Sequence, residues 1–243
     1  MSGTPDGPGS GAPSGLQAPA AGRLAVTKQR LRAGAHAIFE PLVALLVRLG
    51  ARPDHLTVAG LALSALSGLL FLLASWRLGG LVLALAGLCD VLDGQLARRC
   101  GGETRFGAFL DSTIDRLGEA LVILGITGFF VRFAEKQPLE VSPTIWTLVV
   151  TFLGMLALVG SFLVSYTRAR AEGLGIDCKV GWFERPERIA LLVIAGLLGN
   201  LGVMFWALAL LGLLSFWTAF QRVRHVWRQT RGAELDPPEG MRS

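Results

Sequence analysis

Apolar runs close to 20 residues long recur through most of this chain. A run of that length is what an α-helix needs to cross the hydrocarbon core of a bilayer. Of the 243 residues, 52% are apolar and only 17% are charged, against roughly 25% charged in ordinary soluble domains. The expected fold class is therefore an all-α integral membrane protein. Six transmembrane helices are predicted, near 56–75, 79–100, 106–133, 144–170, 187–202 and 204–226. The fifth is short, and Asn200-Leu201-Gly202 is a turn signal between it and the sixth. Glycines are frequent inside the spans, as close helix packing in membranes permits.

The segments outside the spans differ in composition. Residues 1–22 are nearly all Gly, Pro, Ser and Ala, which predicts a disordered tail. They lack the basic start and apolar run of a signal peptide. Within 23–49, Lys28, Arg30 and Arg32 precede Ile38, Phe39, Leu42, Leu45 and Leu46, with Glu40 and Pro41 interrupting the apolar stretch. This reads as an amphipathic helix lying on the membrane interface. The membrane domain is expected over 50–230, and a second disordered tail over 231–243.

The net charge of +5 raises nucleic acid as a partner, but membrane topology explains it better. Lys and Arg accumulate in cytoplasmic loops. One side collects the N-terminal segment, Arg98, Arg99, Arg105, Arg168, Arg170, Lys179, Arg185, Arg188, Arg222, Arg224, Arg228 and Arg231; the other keeps Arg77, Arg132 and Lys136. A multi-pass cell-membrane protein with both termini cytoplasmic is the expectation. Trp76 and Trp146 toward the outer face and Trp227 toward the inner suit an aromatic belt. Cys89, Cys100 and Cys178 offer no disulfide framework.

Four aspartates interrupt this apolar pattern. Asp90 and Asp93 are three apart at the end of the second span, and Asp111 and Asp115 four apart at the start of the third. Each pair shares a helix face. The short connection makes the two helices antiparallel neighbours, so all four carboxylates converge. Hard oxygen ligands in that number suit Mg²⁺ or Mn²⁺ rather than Zn²⁺. Gly94, Ala97 and Gly107 remove bulk beside them, and Arg98 lies close enough to neutralise a carboxylate or hold a phosphate. A single Asp pair could also be a transporter's ion site or a satisfied polar patch. A transporter would more often bury its site near mid-bilayer, whereas these carboxylates sit at helix ends.

The run Asp90-Val91-Leu92-Asp93-Gly94-Gln95-Leu96-Ala97-Arg98, then eight residues, then Gly107, Asp111 and Asp115, resembles the D-x-x-D-G-x-x-A-R, G-x-x-x-D-x-x-x-D signature of the CDP-alcohol phosphatidyltransferase family. The resemblance implies an enzyme that displaces CMP from a CDP-linked lipid with an alcohol hydroxyl. It implies two metal ions held by Asp90, Asp93, Asp111 and Asp115, with Asp115 also the general base. Gly94, Ala97, Arg98 and Gly107 would then border the CDP-lipid. Pro53-Asp54-His55-Leu56-Thr57 is similar to another family motif and implies contact of Asp54 and Thr57 with the CDP moiety; a helix N-cap is the structural alternative. A homodimer is also what the family suggests.

Ser165-Tyr166-Thr167-Arg168-Ala169-Arg170-Ala171-Glu172 and Glu184-Arg185-Pro186-Glu187-Arg188 are similar to the branch that makes phosphatidylinositol phosphate. That likeness implies inositol 1-phosphate as acceptor, its phosphate held by Ser165, Arg168 and Arg188, with Arg228 more than Arg222 joining them. Glycerol 3-phosphate is the alternative phosphorylated acceptor. Arg188 opens the fifth span, where an unpaired charge is costly, and an anion pocket would account for it.

Overall fold

The computed structural model describes residues 40–48, 50, 52–99, 104–136 and 142–235. Residues 40–48 are helical; the rest of the expected amphipathic segment and the tail at 1–22 lie outside the described residues. Six longer helices follow: α1 (Pro53–Leu72), α2 (Trp76–Arg99), α3 (Arg105–Lys136), α4 (Pro143–Gly173), α5 (Arg185–Leu198) and α6 (Leu201–Leu235). Among the described residues there is no strand.

Local chemistry explains the ends. Proline stands at the first or second position of α1, α4 and α5, where its missing N–H costs no hydrogen bond. Gly199 closes α5 in the left-handed region at φ 66°, which glycine adopts without a Cβ clash. Asn200 then accepts the Val203 N–H through Oδ1 at 3.1 Å, capping α6. The Asn200 turn is thus as expected. The last helix, however, continues to Leu235, so residues 231–235 belong to α6 and not to a disordered tail; 236–243 lie outside the described residues.

Among the described residues, four helices are long and apolar enough to cross a membrane: α1, α2, α4 and α6. The other two differ from these in composition or length. α3 is long but carries Asp111, Asp115, Arg116 and Glu119 in its first half. α5 has 14 residues, or about 21 Å at the rise of an α-helix, against roughly 30 Å of hydrocarbon.

Helix α1 packs on α2 and α3, α3 on α4, α4 on α6, and α5 on both α2 and α6. Two crossings depend on absent side chains. A Cβ on Gly125 would lie 2.0 Å from the Gly68 carbonyl oxygen, where α1 meets α3. A Cβ on Gly196 would lie 2.8 Å from the Gly80 Cα, where α2 meets α5. Phe71, Leu83, Ile126, Phe130, Leu192, Met204 and Leu208 fill the core between them. The exposed face of α4 carries Leu148, Phe152 and Met155, apolar side chains suited to lipid.

Trp76 and Trp146, expected in an aromatic belt, are both partly buried against the core. Trp76 stacks edge-on to Phe129 and Trp146 lies flat on Phe205. Trp227 remains exposed, with the Arg231 guanidinium 4.7 Å above its ring. Cys89 and Cys178 are free thiols.

Candidate active site

Asp90 and Asp93 sit near the end of α2, and Asp111 and Asp115 in the opening turns of α3. Their helices bring one carboxylate oxygen each from Asp90, Asp93 and Asp111 within 4.8 Å of one another. Three carboxylates at that separation repel strongly in a low-dielectric setting unless a cation lies among them. The all-oxygen donor set fits a hard divalent ion. Thr57 on α1 is buried and donates its hydroxyl to Asp93 Oδ2 at 3.0 Å. It is no helix cap: the N-cap of α1 is Arg52, with no side-chain cap bond.

Asp115 and Asp90 share a cationic partner. Arg185 Nη2 lies 2.7 Å from Asp115 Oδ1, and Arg185 Nη1 donates to Asp90 Oδ2 at 2.8 Å. One guanidinium from the start of α5 therefore spans a carboxylate of each helix. Asp115, the fourth aspartate of the expected metal set, thus shares Arg185 with Asp90.

Two cavities border this cluster. The first, of about 300 Å³, is lined by Asp54, Thr57, Asp93, Gly94, Ala97, Gly107 and Asp111 among others. Gly94 opens onto it without obstruction: an added Cβ would meet only the Arg98 guanidinium, 3.6 Å away. Arg98 itself is exposed and does not line the cavity. The second cavity, of about 390 Å³, is lined by Asp111, Asp115, Ser165, Arg168, Arg185, Arg188 and Arg222 among others. Asp111 borders both.

The cationic wall of the second cavity is tightly organised. Arg168 Nε donates to Glu172 Oε1 at 2.9 Å at a partly exposed edge. Arg188 is 1% exposed, yet it is not an unpaired charge as its position in the sequence suggested. Glu119 of α3 accepts both its Nε and its Nη2, at 2.6 and 2.8 Å. Arg222, also buried, donates to the Val164 carbonyl, the Val180 carbonyl and Glu184. It thereby ties α6 to α4 and to the connection before α5.

Arg228 is elsewhere. It lines a separate cleft of about 480 Å³ with Lys179, Trp182, Arg224 and His225. The arginine of the last helix that borders the second cavity is Arg222. Ser165, Arg168 and Arg188 do come together there, with Arg185 added. Glu119 escaped notice in the sequence, although Asp111, Asp115 and Glu119 recur at four-residue intervals and so share one helical face. Arg185 stood in the sequence as part of the Glu184–Arg188 motif and Arg222 as second choice to Arg228; neither gave a local sign of the partners it meets here.

The sequence model of the CDP-alcohol phosphatidyltransferase family matches residues 51–220. An archaetidylinositol phosphate synthase from Methanothermobacter thermautotrophicus is 36% identical over 189 residues, covering 76% of this chain and 87% of the relative. A phosphatidylinositol phosphate synthase from Mycolicibacterium smegmatis is 36% identical over 215 residues, covering 84% and 90%. The crystal structure of Mycobacterium tuberculosis phosphatidylinositol phosphate synthase with CDP-DAG bound superposes with a TM-score of 0.68 at 31% identity, covering 79% of this chain and 94% of that one. The same protein in complex with manganese and citrate gives 0.66 at 31%, covering 77% and 88%.

Proposed function

Because the chain belongs to the CDP-alcohol phosphatidyltransferase family, we propose that it moves a phosphatidyl group from CDP-diacylglycerol to inositol 1-phosphate, releasing CMP. It is an integral membrane enzyme of phospholipid synthesis that depends on a divalent metal. The observation that carries the specific reading is that Asp111 lines both cavities. A donor in one and an acceptor in the other would meet at the carboxylates.

In this reading Asp54, Thr57, Gly94, Ala97 and Gly107 border the CDP-lipid. Asp90, Asp93, Asp111 and, once released from Arg185, Asp115 hold two ions of Mg²⁺ or Mn²⁺. Bound there, the ions offset charge on the pyrophosphate and on the departing CMP. The acceptor hydroxyl attacks the phosphorus that carries the diacylglycerol, a P–O bond forms, and the bond to the CMP oxygen breaks. Asp115, bordering the acceptor cavity, takes the hydroxyl proton. Ser165, Arg168 and Arg188 hold the acceptor phosphate by charge-assisted hydrogen bonds. The excess of Lys and Arg puts this site and both termini on the cytoplasmic side, and two chains form a homodimer.

The test is CMP release by the purified protein with CDP-diacylglycerol, Mg²⁺ or Mn²⁺, and a panel of acceptors. Inositol 1-phosphate is expected to give the highest kcat/KM. Release with glycerol 3-phosphate but not with inositol 1-phosphate would overturn the acceptor assignment, and no metal-dependent release with any acceptor would overturn the transferase reading.

A further inference from the structure

Glu119 stands one helical turn beyond Asp115 on α3 and is 4% exposed. It lies outside the set of carboxylates that can reach one ion, so metal binding gives no reason for it. Its partners come from two other helices. Arg188 of α5 donates Nε to Glu119 Oε1 at 2.6 Å and Nη2 to Oε2 at 2.8 Å. Ser161 of α4 donates its hydroxyl to Oε1 at 3.0 Å. All three side chains are buried.

A guanidinium is planar and has two usable edges. Glu119 takes the edge formed by Nε and Nη2. That fixes the plane of Arg188 and directs Nη1 away from the carboxylate. Nη1 is itself buried and has no hydrogen-bond partner, while Arg188 lines the second cavity. A buried N–H of a charged group left without an acceptor is costly, and an anion in that cavity would supply one.

Resting on the acceptor reading above, we propose that Glu119 is a positioning residue for the phosphorylated acceptor. Its two-point grip, itself steadied by Ser161, holds Arg188 so that Nη1 meets a phosphate oxygen. Without the grip, a long cationic side chain is free to turn toward Asp111 and Asp115, which border the same cavity.

The sign of the effect distinguishes positioning from simple electrostatics. Removing a negative charge beside a phosphate site should tighten phosphate binding if charge alone matters. If Glu119 acts by orienting Arg188, its removal should weaken it. In the full-length protein, E119Q is expected to raise the KM for inositol 1-phosphate about tenfold. The KM for CDP-diacylglycerol is expected to change less than about twofold, and E119D, which keeps a two-oxygen acceptor, to fall between E119Q and the native enzyme. An acceptor KM that is unchanged or lowered in E119Q overturns the proposal. So does a parallel change in both KM values and kcat, which marks a merely structural role. Should E119Q fail to fold, S161A keeps the carboxylate and removes one of its bonds. It is expected to raise the acceptor KM about threefold, and no rise overturns the proposal. R188Q is measured alongside: if it leaves the acceptor KM unchanged, the acceptor-pocket reading itself fails, independently of Glu119.

Discussion

Thr57 and Asp93 lie 36 residues apart and meet at 3.0 Å. A hydrogen bond to a carboxylate is worth about 1.5–3 kcal/mol. Thr57→Ala is therefore expected to raise the Mn²⁺ concentration for half-maximal CMP release by about tenfold, and titration of activity with the metal checks it. Asp115→Asn keeps shape but removes the base. Turnover should fall by about 10²–10⁴-fold while CDP-lipid binding, read by equilibrium dialysis of the labelled lipid, persists; equal loss of both would leave the base assignment without support. At this scale the sequence was legible where spacing carries meaning. Four aspartates at intervals of three and four could be assigned to shared helix faces, and Asp90, Asp93 and Asp111 do converge. Arg188 was read as a charge in need of an anion, but a sequence does not reveal a partner 69 residues away, and Glu119 supplies one. Arg228 and Arg222 are six apart in one helix. Which of them borders the acceptor cavity depends on how α6 is rotated against α4, and no local pattern encodes that rotation.

Helix boundaries follow from residues that punctuate a helix whatever surrounds it. Prolines at 53, 143 and 186 and the Gly199-Asn200 pair bracket α1, α4, α5 and α6. Helix contacts are a different matter. Glycine abounds in the chain, and only the crossings reveal which glycines matter. Replacing glycine by alanine inside a helix ordinarily stabilises it by about 1 kcal/mol. At Gly125 the sign should reverse, because the new methyl would sit 2.0 Å from the Gly68 carbonyl oxygen; overpacking of this kind costs about 1–3 kcal/mol. Gly173 has nothing within 4 Å and serves as the control. Thermal unfolding of the detergent-solubilised variants should give a lower midpoint for Gly125→Ala and no loss for Gly173→Ala. The aromatic cluster makes the same point. Trp76 and Trp146 stand where an interfacial belt is expected, yet their rings pack inward on Phe129, Phe130 and Phe205.

For the molecule as a whole, two measurements follow. Chelation by EDTA should abolish CMP release, and adding back Mg²⁺ or Mn²⁺ should restore it, because Asp90, Asp93 and Asp111 repel one another without a cation. Retention of activity after exhaustive chelation would argue against the metal role. On the proposed topology, in which both termini are cytoplasmic, a fluorescent protein fused after Ser243 should fluoresce and an alkaline phosphatase fused there should be inactive; the reverse pair of results would overturn that topology. By itself the sequence determined the membrane class, the helical elements and the family. Apolar run length, helix-ending residues and carboxylate spacing are local properties, and each acts over a few turns. The tertiary structure decided which charges face one another. It brought α5 against α2 so that Arg185 bridges Asp90 and Asp115, set Glu119 behind Arg188, and put Asp111 on the wall of two cavities. Those relations depend on the rotation and close approach of helices distant in the chain. In a membrane such packing rests on small residues and shape complementarity, which only the assembled helices make visible.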